Sequence, residues 1–217
     1  KPTIGDWRSG AHINFSMTSN KDNKNIFEGK DGKFSDLAYH AVGGLIKHGT
    51  SITAVACSTV NSYNGLVPIV GGFEGGVYTW APTTMAYGDN NRSCMIRLPQ
   101  NRFCIENRAA DMCMNPYLSL ALTTAAALDG IKNKIDPGKP LNLNLYTLSP
   151  EEMEASNIKS LPRNLLEAIE ALNEDDFAKE VLGDSMLLQF FSYKKDEWDR
   201  YHQAVTDWEV QEFLRLY

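Results

Sequence analysis

Apolar residues recur along this chain with two periods, and the period changes mark its elements. In "AHINFSM", Ile13, Phe15 and Met17 alternate with His12, Asn14 and Ser16. That alternation predicts a strand, after an opening loop, with the three polar side chains on one face. "SDLAYHAVGGLIKHGTSITAVAC" carries apolar residues at helical spacing behind Ser35, a fitting N-cap, and predicts one helix. A Gly-rich loop follows, and "NNRSCMIRLPQNRFCIENRAADMCMNPYL" then predicts two strands turning at "PQN". "NPYLSLALTTAAALDGIKNKIDPG" is apolar on nearly every side, the pattern of a helix buried mid-domain, with Gly130 and "DPG" ending it. Beyond residue 140, "SPEE" offers a cap serine and a first-turn proline, Leu165, Ile169 and Leu172 form a stripe, and "TDWE" reads as a capping box. The expected fold class is α+β: a sheet-rich part over 1–140 and a helical tail over 141–217.

Composition narrows the function classes. The formal net charge of −6 argues against a nucleic-acid partner held by bulk electrostatics. No apolar run reaches the length of a bilayer-crossing helix, so no membrane partner is expected. Cys57, Cys94, Cys104 and Cys113 lack the spacing of zinc or redox sites. Three of them sit in apolar contexts, which suggests reduced thiols and a cytoplasmic setting. "NKDNKNIFEGKDGK" does not have calcium-loop spacing and reads as a solvated turn region. "GGFEGGVYTW" lacks the terminal Gly-Lys-Ser/Thr of a phosphate loop.

The arginines change the picture. On the second strand of the predicted hairpin, Arg102, Cys104, Glu106 and Arg108 share a face, while Arg92 and Arg97 lie on the preceding strand and its entry. These four arginines outnumber the nearby carboxylates, Glu106, Asp111 and Asp89. Residue types leave two readings open. One is an exposed face of solvated charges with a Glu106–Arg108 pair. The other is a site for a polyphosphate or carboxylate ligand, where arginine forks clamp oxygens. His12, Asn14 and Ser16 on a second strand favour the ligand site, and an imidazole with a carboxylate suits Mg²⁺ or Mn²⁺, although two ligands are too few alone.

Taken together, "SGAHINFSM", "GGLIKHG", "NSYNGLVP", "NNRSCMIRLP", "IENRAADMCMNPYL", "ALDGIKNKIDPG" and "NLYTLSPEE" resemble the glutamine synthetase catalytic domain, in the family's order. The late "KKDEWDRYHQAVTDWEVQEFL" resembles a subgroup that includes γ-glutamylmethylamide synthetases. The resemblance implies an antiparallel sheet flanked by helices, and an ATP-dependent ligase joining glutamate to ammonia through γ-glutamyl phosphate. Methylamine or another alkylamine is the alternative acceptor, and a non-catalytic relative is a third reading. It further implies His12 and Glu106 as metal ligands and Arg108 at the transferred phosphoryl group. Arg92 is expected to bind phosphate, Arg97 to contact ATP, and Asn14 and Ser16 to edge the nucleotide. Glu74 in "GGFEGG" is the expected flap carboxylate; an ungapped count from "NNRS" places Trp80 there instead. Tyr146 matches a tyrosine that some bacterial members adenylylate, whereas His40, His48 and His202 are expected to be structural.

Two departures stand out. Trp7 and Arg8 occupy positions where the family commonly has Asn-Gly, and Asn64 and Gly65 replace the Lys-Arg of "NSYKRL". The contact made by that arginine to the substrate carboxylate is therefore lost or supplied elsewhere. Because the chain opens inside the motif, it is expected to be the carboxy-terminal part of a longer protein that assembles as stacked rings. The 217 residues alone are expected to lack ligase activity.

Overall fold

The computed structural model describes residues 8–70 and 77–214. Strand β1 (Ile13–Phe15) precedes helices α1 (Asp36–Lys47), α2 (Gly49–Ala56) and α3 (Val60–Tyr63). Short strands β2 (Ile69–Val70) and β3 (Val77–Tyr78) pair with each other. Strands β4 (Thr84–Asp89), β5 (Cys94–Leu98) and β6 (Ile105–Asn107) lead into α4 (Pro116–Asn133). Helix α5 (Pro150–Ala155), strand β7 (Lys159–Ser160) and helices α6 (Leu165–Glu174), α7 (Asp176–Leu182), α8 (Asp184–Gln203) and α9 (Asp207–Phe213) complete the chain.

Five strands form one sheet in the order β1-β6-β5-β4-β7. The predicted hairpin is β5–β6, antiparallel, with Arg97 opposite Glu106. On the other side of β6, β1 places Asn14 opposite Glu106. Helices cover the opposite face of the sheet. Phe27, Leu45, Ile52, Met95, Ile96, Ile105, Leu122 and the α6 stripe of Leu165, Ile169 and Leu172 are fully buried there. The structure is α+β, but β4 and β5 run parallel, so the sheet is mixed rather than wholly antiparallel.

Several elements depart from the periodic reading. The single helix expected after Ser35 is two. Ser35 caps α1 by accepting from the Ala38 N–H, and the chain breaks at His48 before α2 begins. His48 is buried there, stacked on Phe177 and 3.0 Å from Asp129. Helix α4 is not buried all round, since Tyr117, Leu120 and Leu128 are exposed. Nor does Gly130 end it: the helix continues to a left-handed cap at Lys134. Gly130 and Gly44 instead let α4 and α1 touch backbone to backbone. A Cβ at Gly44 would lie 1.9 Å from the Ala126 carbonyl oxygen, and one at Gly130 would lie 2.1 Å from that of His40. Gly44→Ala must therefore push the helices apart. It is expected to destabilise by about 3 kcal/mol, the upper end for overpacking, and to lower the melting temperature by about 6–12 °C. A melt within about 2 °C of the unmodified protein would contradict this close contact. In the tail, both predicted caps are present as capping boxes, Ser149 with Glu152 and Thr206 with Glu209.

Candidate active site

The sheet's open face centres on Glu106. Alternation in β1 leaves Ile13 buried and His12, Asn14 and Ser16 exposed on the side shared with Glu106. Glu106 is 2% exposed, and its carboxylate is gripped from several directions. Arg108 Nη1 donates to Oε1 and Arg97 Nη1 to Oε2, each at 2.7 Å. His12 Nδ1 lies 3.1 Å from Oε1, and Arg102 Nη2 lies 3.8 Å from Oε2. The Glu106–Arg108 pair anticipated for a solvated face is thus present but buried. Burial pushes the Glu106 carboxyl up, yet hydrogen bonds and charge from Arg108 and Arg97 outweigh it and hold it below the usual carboxylate range. Burial, then Arg108, pulls His12 below the ordinary imidazole value, against the opposing pull of Glu106. The imidazole is favoured in its neutral form.

The remaining arginines take different positions. Arg108 is itself buried, and it also donates to two backbone carbonyls, those of Arg92 and Trp80, at 3.2 Å each. Arg92 therefore meets the cluster through its carbonyl, while its side chain is exposed. Its neighbour Asn91 pins the approach to β5, donating to the Leu141 and Leu143 carbonyls and accepting from Ser93. Arg97 also donates from Nε to Asn90. Asn14 accepts from Arg102 Nη2 at 2.9 Å, whereas Ser16 lies just beyond the end of β1. Glu74 and Trp7 fall outside the described residues.

Two sequence departures meet in space. A Cβ at Gly65 would lie 2.2 Å from the Cβ of Arg8, so Arg8 occupies the room that a side chain at 65 would need. Arg8 Nη2 donates to the carbonyls of Ala109 and Ala110, just after β6. Its Nε and Nη1 are buried without hydrogen-bond partners. This arginine was not singled out as a site residue, because nothing local in sequence links positions 8 and 65. Of the other histidines, His40 bonds the Ile135 carbonyl and His202 stacks on Trp198. Tyr146 donates its hydroxyl to the Ala81 carbonyl at 2.7 Å.

As a metal site the cluster supplies two donors. An imidazole and a carboxylate 3.1 Å apart can both face one hard divalent cation. Among the described residues no group of three or more His, Cys, Asp or Glu completes such a site. The two donors fit part of the coordination shell of such a cation.

The chain is similar over its whole length to known proteins. A family model described as the glutamine synthetase catalytic domain matches residues 1–213. A glutamate–methylamine ligase of Methyloversatilis universalis is 43% identical over 221 residues, covering 100% of this chain and 48% of that protein. A glutamine synthetase of Methanosarcina mazei is 42% identical over 221 residues, covering 100% of this chain and 47% of its own length. This chain therefore spans about half the length of the curated relatives it matches. Among solved structures, GmaS in complex with ADP superposes with a TM-score of 0.81 at 38% identity, over 95% of this chain and 46% of that one. GmaS without ligand gives 0.75 at 36% identity, over 95% and 45%.

Proposed function

Because the chain belongs to the glutamine synthetase family, we propose that residues 1–217 form the carboxy-terminal portion of such a catalytic domain, in a protein that is an ATP-dependent acid–amine ligase. Its substrates are glutamate and ammonia or an alkylamine. A γ-carboxylate oxygen of glutamate attacks the terminal phosphorus of ATP, and ADP leaves. The amine then attacks the acyl carbon of γ-glutamyl phosphate, the carbon–oxygen bond breaks, and phosphate departs with that oxygen. Both steps concentrate negative charge without needing a protein nucleophile, so fixed cations are the principal requirement. The observation that carries the reading is the buried Glu106 clasped by Arg97 and Arg108 beside His12.

In this reading Arg108 faces the transferred phosphoryl group, Arg97 and Arg92 the nucleotide phosphates, and Asn14 and Ser16 the nucleotide's edge. His12 and Glu106 would hold a magnesium or manganese ion, which when bound neutralises phosphate charge. Glu74 keeps its place as the flap carboxylate. Arg8 supplies the guanidinium that Gly65 cannot and takes the substrate carboxylate. Arg8→Ala is then expected to raise the KM for glutamate about 10- to 100-fold, the worth of a charge-assisted hydrogen bond. The KM for ATP should stay within a few-fold, and an unmoved glutamate KM would remove Arg8 from the site.

The reading itself is tested by ADP release from the intact protein with ATP, glutamate and either amine. ADP formed in step with a γ-glutamyl amide is expected. No release with ammonia or methylamine would leave a non-catalytic relative. An alkylamine acceptor is the second reading, favoured by the 43% identity to a glutamate–methylamine ligase.

A further inference from the structure

A cavity of about 430 Å³ lies between the chain that leaves α3 and the chain that enters α6. That volume falls within the range of about 300–1,000 Å³ common to small-molecule sites. Leu66, Val67, Leu148, Met153 and Leu161 give it apolar walls, and none of His12, Arg97, Glu106 and Arg108 lines it. Two of its lining residues carry orphan hydroxyls. Tyr63 is 5% and Thr84 2% exposed, and both hydroxyl oxygens are buried without a hydrogen-bond partner. A buried polar group left unpaired is costly, so these walls favour an occupant that carries oxygen over a plain hydrocarbon. Burial pushes the Tyr63 hydroxyl well above its ordinary value, so it keeps its proton and can donate.

The charged residue on this cavity is Arg163. Its segment is held against the sheet: Ser160 pairs with Thr84, and the Leu161 N–H donates to the Thr83 carbonyl at 2.9 Å. The Arg163 side chain is exposed, and its backbone N–H donates to Glu167 Oε2 at 2.8 Å. Among the described residues no carboxylate lies within ion-pair distance of its guanidinium. Glu154 and Glu167 border two neighbouring hollows that Arg163 also lines, whereas no Asp or Glu lines this one.

We propose that this cavity binds a small carboxylate with an apolar aryl or alkyl body and no amino group. Arg163 meets the anion through charge-assisted hydrogen bonds. The body leaves water against the leucines and Met153. An amino acid is disfavoured, because its ammonium finds no carboxylate on these walls. Binding of this kind does not depend on ligase activity.

Calorimetric titration of the intact protein compares three probes of similar shape: 3-phenylpropionate, its neutral amide and 3-phenylpropylamine. The carboxylate is expected to bind about tenfold more tightly than the amide, and the amine not measurably. Arg163→Gln keeps the backbone bond to Glu167 and should bring carboxylate and amide within about threefold of each other. Met153→Trp, which fills the cavity, should abolish binding of both. Saturating ATP and glutamate should leave the carboxylate's affinity within about threefold. Equal binding of carboxylate and amine, a preference unmoved in Arg163→Gln, or no binding of any probe would overturn the assignment. Displacement by glutamate would also overturn it, since the probe would then occupy the Glu106 cluster's substrate site. Should Met153→Trp not fold, Arg163→Gln decides.

Discussion

If the protein is the ligase proposed above, Arg108→Ala is expected to lower kcat of the intact protein about 10²- to 10³-fold, the loss that follows removal of a donor aimed at developing charge. The expectation rests on how the side chain is held. Arg108 is 6% exposed, and its three nitrogens bond Glu106, Arg92 and Trp80. A guanidinium fixed in this way reorganises little as charge builds on a transferring phosphoryl group, so its contribution falls mainly on the transition state. The KM for ATP should therefore change only a few-fold, because Arg97 and Arg92 remain. Steady-state kinetics with each substrate varied separates the two effects. Turnover surviving within a few-fold of the unmodified protein would take Arg108 out of the chemistry.

Glu106→Ala acts on stability first. Without the carboxylate, Arg97 and Arg108 face each other with no common anion, and Arg108 has no room to reach bulk water. Breaking a buried pair by removing one partner typically destabilises by about 3–5 kcal/mol. For a chain of this size that is a fall in melting temperature of about 6–20 °C. Glu106→Gln keeps the shape and one acceptor oxygen but not the charge. Its expected loss of stability is smaller, although the arginines would still repel each other without the carboxylate charge between them. Thermal melting of both variants checks the order. Equal, small shifts for Ala and Gln would mean that the carboxylate's charge does not hold the arginines together.

Much of this site is written in alternation. The period-two pattern of "AHINFSM" sends His12, Asn14 and Ser16 outward, and that of "RFCIENR" aligns Arg102, Cys104, Glu106 and Arg108. What alternation cannot give is the pairing of the two strands, which sets Asn14 and Arg97 on either side of Glu106. The surplus of arginines was also legible, but not its division of labour. Arg92 touches the cluster through a backbone carbonyl, and Trp80 does the same. Every residue type carries that acceptor, so it leaves no mark in sequence. Elsewhere tertiary packing overrode local signals. Gly130 looked like a helix stop and is a contact point, because Gly44 lies against it. The break at His48 was hidden inside an unbroken apolar period, and the Asp129 on α4 that His48 contacts there is distant in sequence. Arg8 and Gly65 could be linked only once their Cβ positions were known to coincide.

The most direct test of the central claim follows one oxygen atom. The intact protein is supplied with ATP, an amine and glutamate labelled with ¹⁸O in its side-chain carboxylate, and the released inorganic phosphate is weighed by mass spectrometry. If the arginine-lined cluster supports γ-glutamyl phosphate, each phosphate carries one labelled oxygen, and Arg108→Ala slows the appearance of that label in step with ADP. Phosphate released at the same rate without label would mean that ATP is merely hydrolysed by water and that no acyl phosphate forms.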